Sequence, residues 1–108
     1  MDIIDYHTDG GKNLIKDYLN KLPIPERTYG YAVRTKIRKE GIKAFDGLNT
    51  RKLVGKIWEI KFFKNRIMYI IYDKNAVYFL HACKKQKGKA EKFDLDKAIK
   101  RAKSKNLL

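Results

Sequence analysis

Three runs rich in apolar and aromatic residues, Lys56 to Phe63, Arg66 to Asp73 and Ala76 to Cys83, follow one another with two residues in each gap. Few folds accept that spacing. Gaps as short as Lys64-Asn65 and Lys74-Asn75 join antiparallel strands, and asparagine tolerates the positive φ of tight hairpin turns. The spacing predicts a three-stranded meander.

The two-residue turns set a predicted register. Phe63 faces Arg66, Lys61 faces Met68 and Glu59 faces Ile70. In the second hairpin Asp73 faces Ala76, Met68 faces His81 and Arg66 faces Cys83. Side chains alternate between the faces of a sheet, so the two faces can be written out. One takes Trp58, Ile60, Phe62, Ile67, Tyr69, Ile71, Tyr78, Leu80 and Ala82, with no charge among them, and is expected to be the core face under the helices. The other takes Glu59, Lys61, Phe63, Arg66, Met68, Ile70, Tyr72, Val77, Phe79, His81 and Cys83. Every ionisable side chain in the middle of the meander falls on this second face. A slip of one residue would scatter them.

The flanking segments read as helices. From Lys12 to Lys21, Leu14, Ile15, Tyr18, Leu19 and Leu22 draw one helical stripe, ended by Pro23 and Pro25. Glu26 to Ile42 repeats the theme with Tyr29, Val33 and Ile37 four apart, and Gly41 is placed as a C-cap glycine. A last helix is expected after the basic loop "KKQKGKAEK", with Asp94 as N-cap and Leu95, Ala98, Ile99 and Ala102 as its apolar stripe. Asp2 to Thr8 is β-compatible and ends in the turn Asp9-Gly10-Gly11. The Gly-Gly-Lys there lacks the remaining spacing of a phosphate loop. Phe45 to Thr50 reads as a turn. The expected class is α+β: a single domain over residues 1–108 in the order β-α-α-β-β-β-α, its antiparallel sheet packed on helices.

Charge narrows the function. Lys and Arg number 26 against 12 Asp and Glu, a formal +14, which favours a polyanionic partner and above all nucleic acid. The second sheet face interleaves basic residues with Phe63, Met68, Ile70 and Phe79, the combination that single-stranded nucleic acid uses for phosphate contact and base stacking. Cys83 is the sole cysteine, so no intramolecular disulfide can form. The start lacks the basic region and apolar run of a signal peptide, and no run approaches membrane-spanning length; a cytoplasmic protein without a membrane partner is expected. Two His and one Cys without ligand spacing make no metal motif, and no cofactor is expected.

Several segments, taken in order, resemble the RelE/HigB-like toxins, in particular the phage-derived HigB-like branch. They are Lys52-Leu53-Val54-Gly55, Trp58-Glu59-Ile60-Lys61, Arg66-Ile67-Met68-Tyr69, Leu80-His81-Ala82-Cys83-Lys84-Lys85 and Ala98-Ile99-Lys100-Arg101. The resemblance runs from about residue 50 to 103, and the element order agrees along the chain. Cys83 stands where that pattern has an aromatic, and Lys87-Gly88-Lys89-Ala90-Glu91 replaces its Thr-x-Lys-Thr-Pro tail. The resemblance implies a RelE-like, microbial-RNase-type fold. It also implies a metal-independent mRNA interferase of a toxin–antitoxin pair, acting on mRNA at the ribosome and neutralised by a cognate antitoxin, expected to be of helix-turn-helix type.

Cleavage of RNA by transesterification needs a base for the 2′-OH, positive charge for the transition state and an acid for the 5′-oxygen. Arg66 is the candidate for the scissile phosphate, because its guanidinium offers two fixed donors. Lys61 is the candidate electrostatic stabiliser or base, and Lys85 the leaving-group acid. Glu59 and His81 are further catalytic candidates, Glu59 also serving as a structural partner for Lys61. Lys52, Lys56, Lys84, Lys87 and Lys89 are candidate RNA-backbone contacts. The alternative is a noncatalytic basic module that binds RNA or the ribosome through total charge. A DNA-binding domain fits less well, since no recognition helix with base-reading residues stands out.

Overall fold

A computed structural model describes all of residues 1–108. The elements are strand β1 (Asp2–Asp5), helices α1 (Leu14–Asn20) and α2 (Ile24–Glu40), a 3-10 turn over Gly41–Gly47, strands β2 (Thr50–Val54), β3 (Ile57–Phe62), β4 (Asn65–Asp73) and β5 (Ala76–Lys84), and helix α3 (Lys89–Ser104). The class is α+β, and the three expected strands are present. The sheet is mixed rather than antiparallel. It has five strands in the order β1-β5-β4-β3-β2, with β1 running parallel to β5. The strand missing from the sequence reading is β2. Its Thr-Arg-Lys-Leu-Val run is short and largely exposed, and it turns into β3 through Gly55, whose φ of 54° suits glycine.

The helices cap as their sequences dictate. Asn13 accepts hydrogen bonds from the Ile15 and Lys16 amides at the start of α1. Pro23 and Pro25 separate the two helices as read, but they do so by opening α2, where proline's missing N–H costs nothing. Gly41, at φ 68°, closes α2 as expected. The buried stripe of α2 is Gly30, Val33, Arg34 and Ile37; Tyr29 lies at its exposed rim.

Helix α3 departs from the reading. It begins at Lys89 behind Gly88, whose φ of 64° turns the chain, so the basic loop shrinks to four residues, Lys85 to Gly88. Asp94 is therefore no N-cap. It lies on the buried stripe with Ala98 and Ala102, facing the sheet.

The hairpin registers explain which face each side chain takes. β3 and β4 pair as Lys61 with Arg66, Glu59 with Met68 and Trp58 with Tyr69, so the turn residues are Phe63 and Lys64. This is two residues from the expected pairing. Because the pleat repeats every two residues, the faces of β3 and β4 survive the shift. In β5 they do not. The β4–β5 pairing follows expectation from Asn65–Lys84 to Met68–His81, then slips by one between Met68 and Tyr69, leaving Leu80 as the extra residue of a bulge. Beyond it Val77 and Phe79 join the face expected for Tyr78 and Leu80, and the reverse.

Neither face is wet. Helices α1 and α2 cover one, with Ile15, Leu19, Ile37, Ile60, Phe62, Ile67, Val77 and Phe79 in its core. Helix α3 covers the other, over Ile57, Met68, Ile70, Leu80 and Cys83. The charged face of the sheet is thus a second, smaller core, and its charges sit in or beside it.

A buried ion pair ties β1 to α2. Arg34 donates from Nη1 and Nη2 to the two Asp5 carboxylate oxygens at 2.7 Å each, while Asn13 donates to Asp5 from the side. The Arg34 guanidinium also lies 5.6 Å from the Phe79 ring centre. Removing one partner strands the other charge out of water, at a cost of about 3–5 kcal/mol. Arg34→Leu is expected to lower unfolding stability by about that amount. Arg34→Leu with Asp5→Leu is expected to lose less than the two single changes summed, which denaturant titration of the four proteins measures.

Candidate functional site

Two rows of cross-strand neighbours form the charged face under α3. One runs Arg51, Glu59, Met68, His81 across β2, β3, β4 and β5. The next runs Lys61, Arg66, Cys83. Lys61 and Arg66 are direct partners, closer than the sequence register places them. Lys85 follows β5, its amide bonded to the Lys64 carbonyl at 2.7 Å, so it lies at the same end of the sheet.

Glu59 is fully buried and Arg66 is 3% exposed. The Glu59 carboxylate sits between two guanidinium groups, with Arg51 Nη2 at 2.8 Å from Oε1 and Arg66 Nε at 3.1 Å from Oε2. Both approaches are close enough for ion pairs but too bent for directed hydrogen bonds, so Coulomb attraction holds this cluster. On its outer side the Glu91 Oε1 lies 3.3 Å from Arg66 Nη1 and 3.4 Å from Arg51 Nη2. Glu59 thus pairs with the two arginines, and the expected Glu59–Lys61 pairing does not form. The Glu59 carboxylate is sealed beneath the two arginines, with no exposed surface of its own.

His81 lies in a second cluster. Its Nε2 is 2.8 Å from Asp94 Oδ1, and Arg101 Nη1 approaches Nδ1 at 3.2 Å while donating to the Leu80 carbonyl at 2.9 Å. Arginine can only donate, so Nδ1 accepts and Nε2–H donates to Asp94. Both ring nitrogens are engaged. Burial pushes the His81 pKa below its ordinary 6.5, Arg101 and Lys97 push the same way, and Asp94 pulls against them. Burial first, then Asp94, pushes the Cys83 thiol up to about 12.

The His81 Nε2, the Cys83 Sγ and an Asp94 oxygen lie within 4.8 Å of one another, a spacing that could hold a metal ion. Their protonation opposes it. A metal on Nε2 would drive the ring proton to Nδ1, where the Arg101 donor already points. His81 and Asp94 are hydrogen-bonded, with the Cys83 thiol beside them.

The lysines separate by place. Lys85, Lys87 and Lys89 are exposed between β5 and the first turn of α3, beside Glu91. Lys84 turns to the opposite face, donating to Asn65 Oδ1 at 2.9 Å, where Tyr18 and Glu26 also bind Asn65. Lys52 pairs with Trp58, on the face away from Arg51, and Lys56 lies at the far end of β3 from Lys61. These three are not brought to the Arg66 row. Arg51 and Glu91 are brought to Arg66, and Asp94 and Arg101 to His81, and sequence reasoning missed them as functional positions. The one available signal was the Ala98–Arg101 segment; the others come together only through folding. The largest cleft, about 310 Å³ between Phe45, Trp58 and Tyr69, opens away from this cluster.

A family model, "Phage derived protein Gp49-like (DUF891)", matches residues 17–103. The chain belongs to the Gp49-like family. That family is associated with the RelE-like toxins of toxin–antitoxin pairs. No curated protein matches the chain. The match extends from within α1 to the last turn of α3, so this Gp49-like chain carries every residue of both buried clusters inside the family region. No helix is long and apolar enough to cross a membrane.

The lowered His81 pKa has a testable sign. Above pH 6.5 the imidazole is neutral folded or unfolded, and the fold keeps its full stability. As the pH falls below 6.5 the unfolded chain takes up the proton first, and stability drops by up to about 1.4 kcal/mol per pH unit until the folded His81 also titrates. Thermal unfolding of the wild type and His81→Gln between pH 7 and about 5 is expected to show a flatter dependence in the variant. Parallel curves would show that His81 does not titrate differently on folding.

Proposed function

We propose that this Gp49-like protein is the toxin of a toxin–antitoxin pair, with a RelE-like, microbial-RNase-type fold. In this reading it is a metal-independent endoribonuclease that cuts mRNA at the ribosome and arrests translation. The observation that carries the reading is the direct pairing of Lys61 with Arg66, the Arg66 guanidinium anchored by buried Glu59 and Lys85 at the same end of the sheet. Anchoring through Nε leaves the Nη groups toward the rim, where a planar fork suits phosphate oxygens.

The chemistry is internal transesterification. The 2′-oxygen bonds to phosphorus, the 5′-oxygen leaves with a proton, and the products are a 2′,3′-cyclic phosphate and a 5′-hydroxyl end. Arg66 and Lys61 oppose the negative charge that grows on the phosphoryl oxygens. Lys85 protonates or stabilises the departing 5′-oxygen. Lys61, the cross-strand partner of Arg66, is also the candidate for the base that takes the 2′-OH proton. His81, with both nitrogens occupied, acts as a positioning residue that fixes α3 on the sheet through Asp94 and Arg101. Lys87 and Lys89 line the approach and contact the RNA backbone. The +14 charge suits both the ribosome and an acidic antitoxin of helix-turn-helix type.

Arg66→Ala is a poor test, since it strands buried Glu59. Lys61→Ala and Lys85→Ala, at less buried positions, are expected to keep the wild-type thermal midpoint and to cut mRNA at least about 100-fold more slowly in a translating extract. Arg66→Lys is expected to lose cleavage equally, because the fork is gone. Wild-type rates in all three would contradict the nuclease reading, and an Arg66→Lys protein that cuts normally would favour a module binding through total charge alone.

A further inference from the structure

Glu59 and Glu91 both contact Arg51 and Arg66, but the two carboxylates are not equivalent. Glu59 is sealed beneath the guanidinium groups and fully buried. The Glu91 side chain is 37% exposed, stands on the solvent side and makes the longer contacts, 3.3 and 3.4 Å against 2.8 and 3.1 Å. A single oxygen, Glu91 Oε1, bridges the two arginines. That is the place and charge a non-bridging phosphodiester oxygen would have.

We propose that the notch between Arg51 and Arg66 is a phosphodiester subsite, and that Glu91 fills it as a built-in competitor which an RNA strand displaces. The inference rests on the RNA reading of this face, and it adds Arg51 as a binding residue and Glu91 as the gatekeeping one. Two arginines and two glutamates sum to zero; when Glu91 swings away, the notch carries one net positive charge and the Nη groups it held are free. A phosphodiester restores the balance with one negative charge. The exchange is isoelectric, so it requires no new desolvated charge. Exposure makes Glu91 the easier of the two carboxylates to replace: its side chain reaches solvent and can swing away, whereas Glu59 is sealed beneath the guanidinium groups.

Position supports the exchange. Glu91 lies in the first turn of α3, directly after the basic segment Lys85 to Lys89 along which a strand would approach. Arg51 brings β2, the edge strand, into the site, which explains why a short exposed strand carries an arginine facing a buried glutamate. A strand entering the notch exchanges one anion for another while Glu59 holds both guanidinium groups in place.

The test uses the full chain and a short fluorescein-labelled 2′-O-methyl RNA, which cannot be cut by 2′-oxygen attack, at one fixed salt concentration. Glu91→Gln removes the competing charge at constant size. Glu91→Asp keeps the charge but withdraws it by one methylene. Glu40→Gln, in an exposed pair with Lys36, controls for net charge alone. By fluorescence anisotropy, Glu91→Gln is expected to bind about fivefold tighter than Glu40→Gln, and Glu91→Asp to bind tighter than wild type at unchanged net charge. Adding Arg51→Gln to Glu91→Gln is expected to cancel the gain. The proposal is overturned if neither Glu91 variant gains over its control, or if the gain survives loss of Arg51. Cleavage in a translating extract is scored separately. Tighter binding with no cleavage by any protein would sink the nuclease reading and leave the subsite standing; normal cleavage with no gain in binding would do the reverse.

Discussion

A buried carboxylate between two arginines organises this molecule. Glu59 lies in the middle of a strand whose other residues, Lys61 apart, are apolar or aromatic, and unpaired it would cost several kcal/mol. It is tolerable there only when β2 supplies Arg51 from one side and β4 supplies Arg66 from the other. Pairings that move either strand leave a buried charge alone. We read the cluster as a register pin: the alternative pairing, two residues away, preserves both sheet faces yet places Ile70 opposite Glu59 and moves Arg66 from Lys61 to Phe63. Hydrophobic patterning cannot distinguish registers that differ by two. A buried ion pair can.

The same logic marks what was legible in the sequence. Hydrophobic periodicity and two-residue gaps disclosed the meander, both early helices, the Gly41 cap and the faces of β3 and β4, because each depends on neighbours a few residues apart. The bulge at Leu80 left no local mark, and it exchanged Val77 and Phe79 with Tyr78 and Leu80 between the two cores. Strand β2 was hidden because an edge strand needs little apolar content. The sequence placed the helices on the uncharged face alone; that α3 covers the charged one was hidden, because its buried stripe is small and includes Asp94, whose partner His81 lies 13 residues away.

The site residues divide along that line. That Lys61, Arg66 and Lys85 lie together was readable because all belong to, or border, one meander. Arg51 and Glu91 lie 40 residues apart and meet only in the fold. His81 looked like a proton-transfer group because of its residue type. Its surroundings recast it: Asp94 and Arg101 occupy both nitrogens, and burial keeps it neutral. In the proposed function, Arg66 is held from beneath by buried Glu59, so the positive charge for phosphate chemistry is oriented before substrate arrives. Membership in the Gp49-like family agrees with that use without specifying it.

The central proposal is that Glu59 holds Arg66 by its Nε while an RNA phosphate takes the place of Glu91 at its Nη groups. Nitrogen-15 NMR of the arginine side chains, followed while an uncleavable RNA strand is added, reads those atoms directly. The account predicts that the Arg66 Nη signals move with saturation while its Nε–H signal stays near its starting position. Binding that saturates with every Arg66 signal unmoved would contradict it.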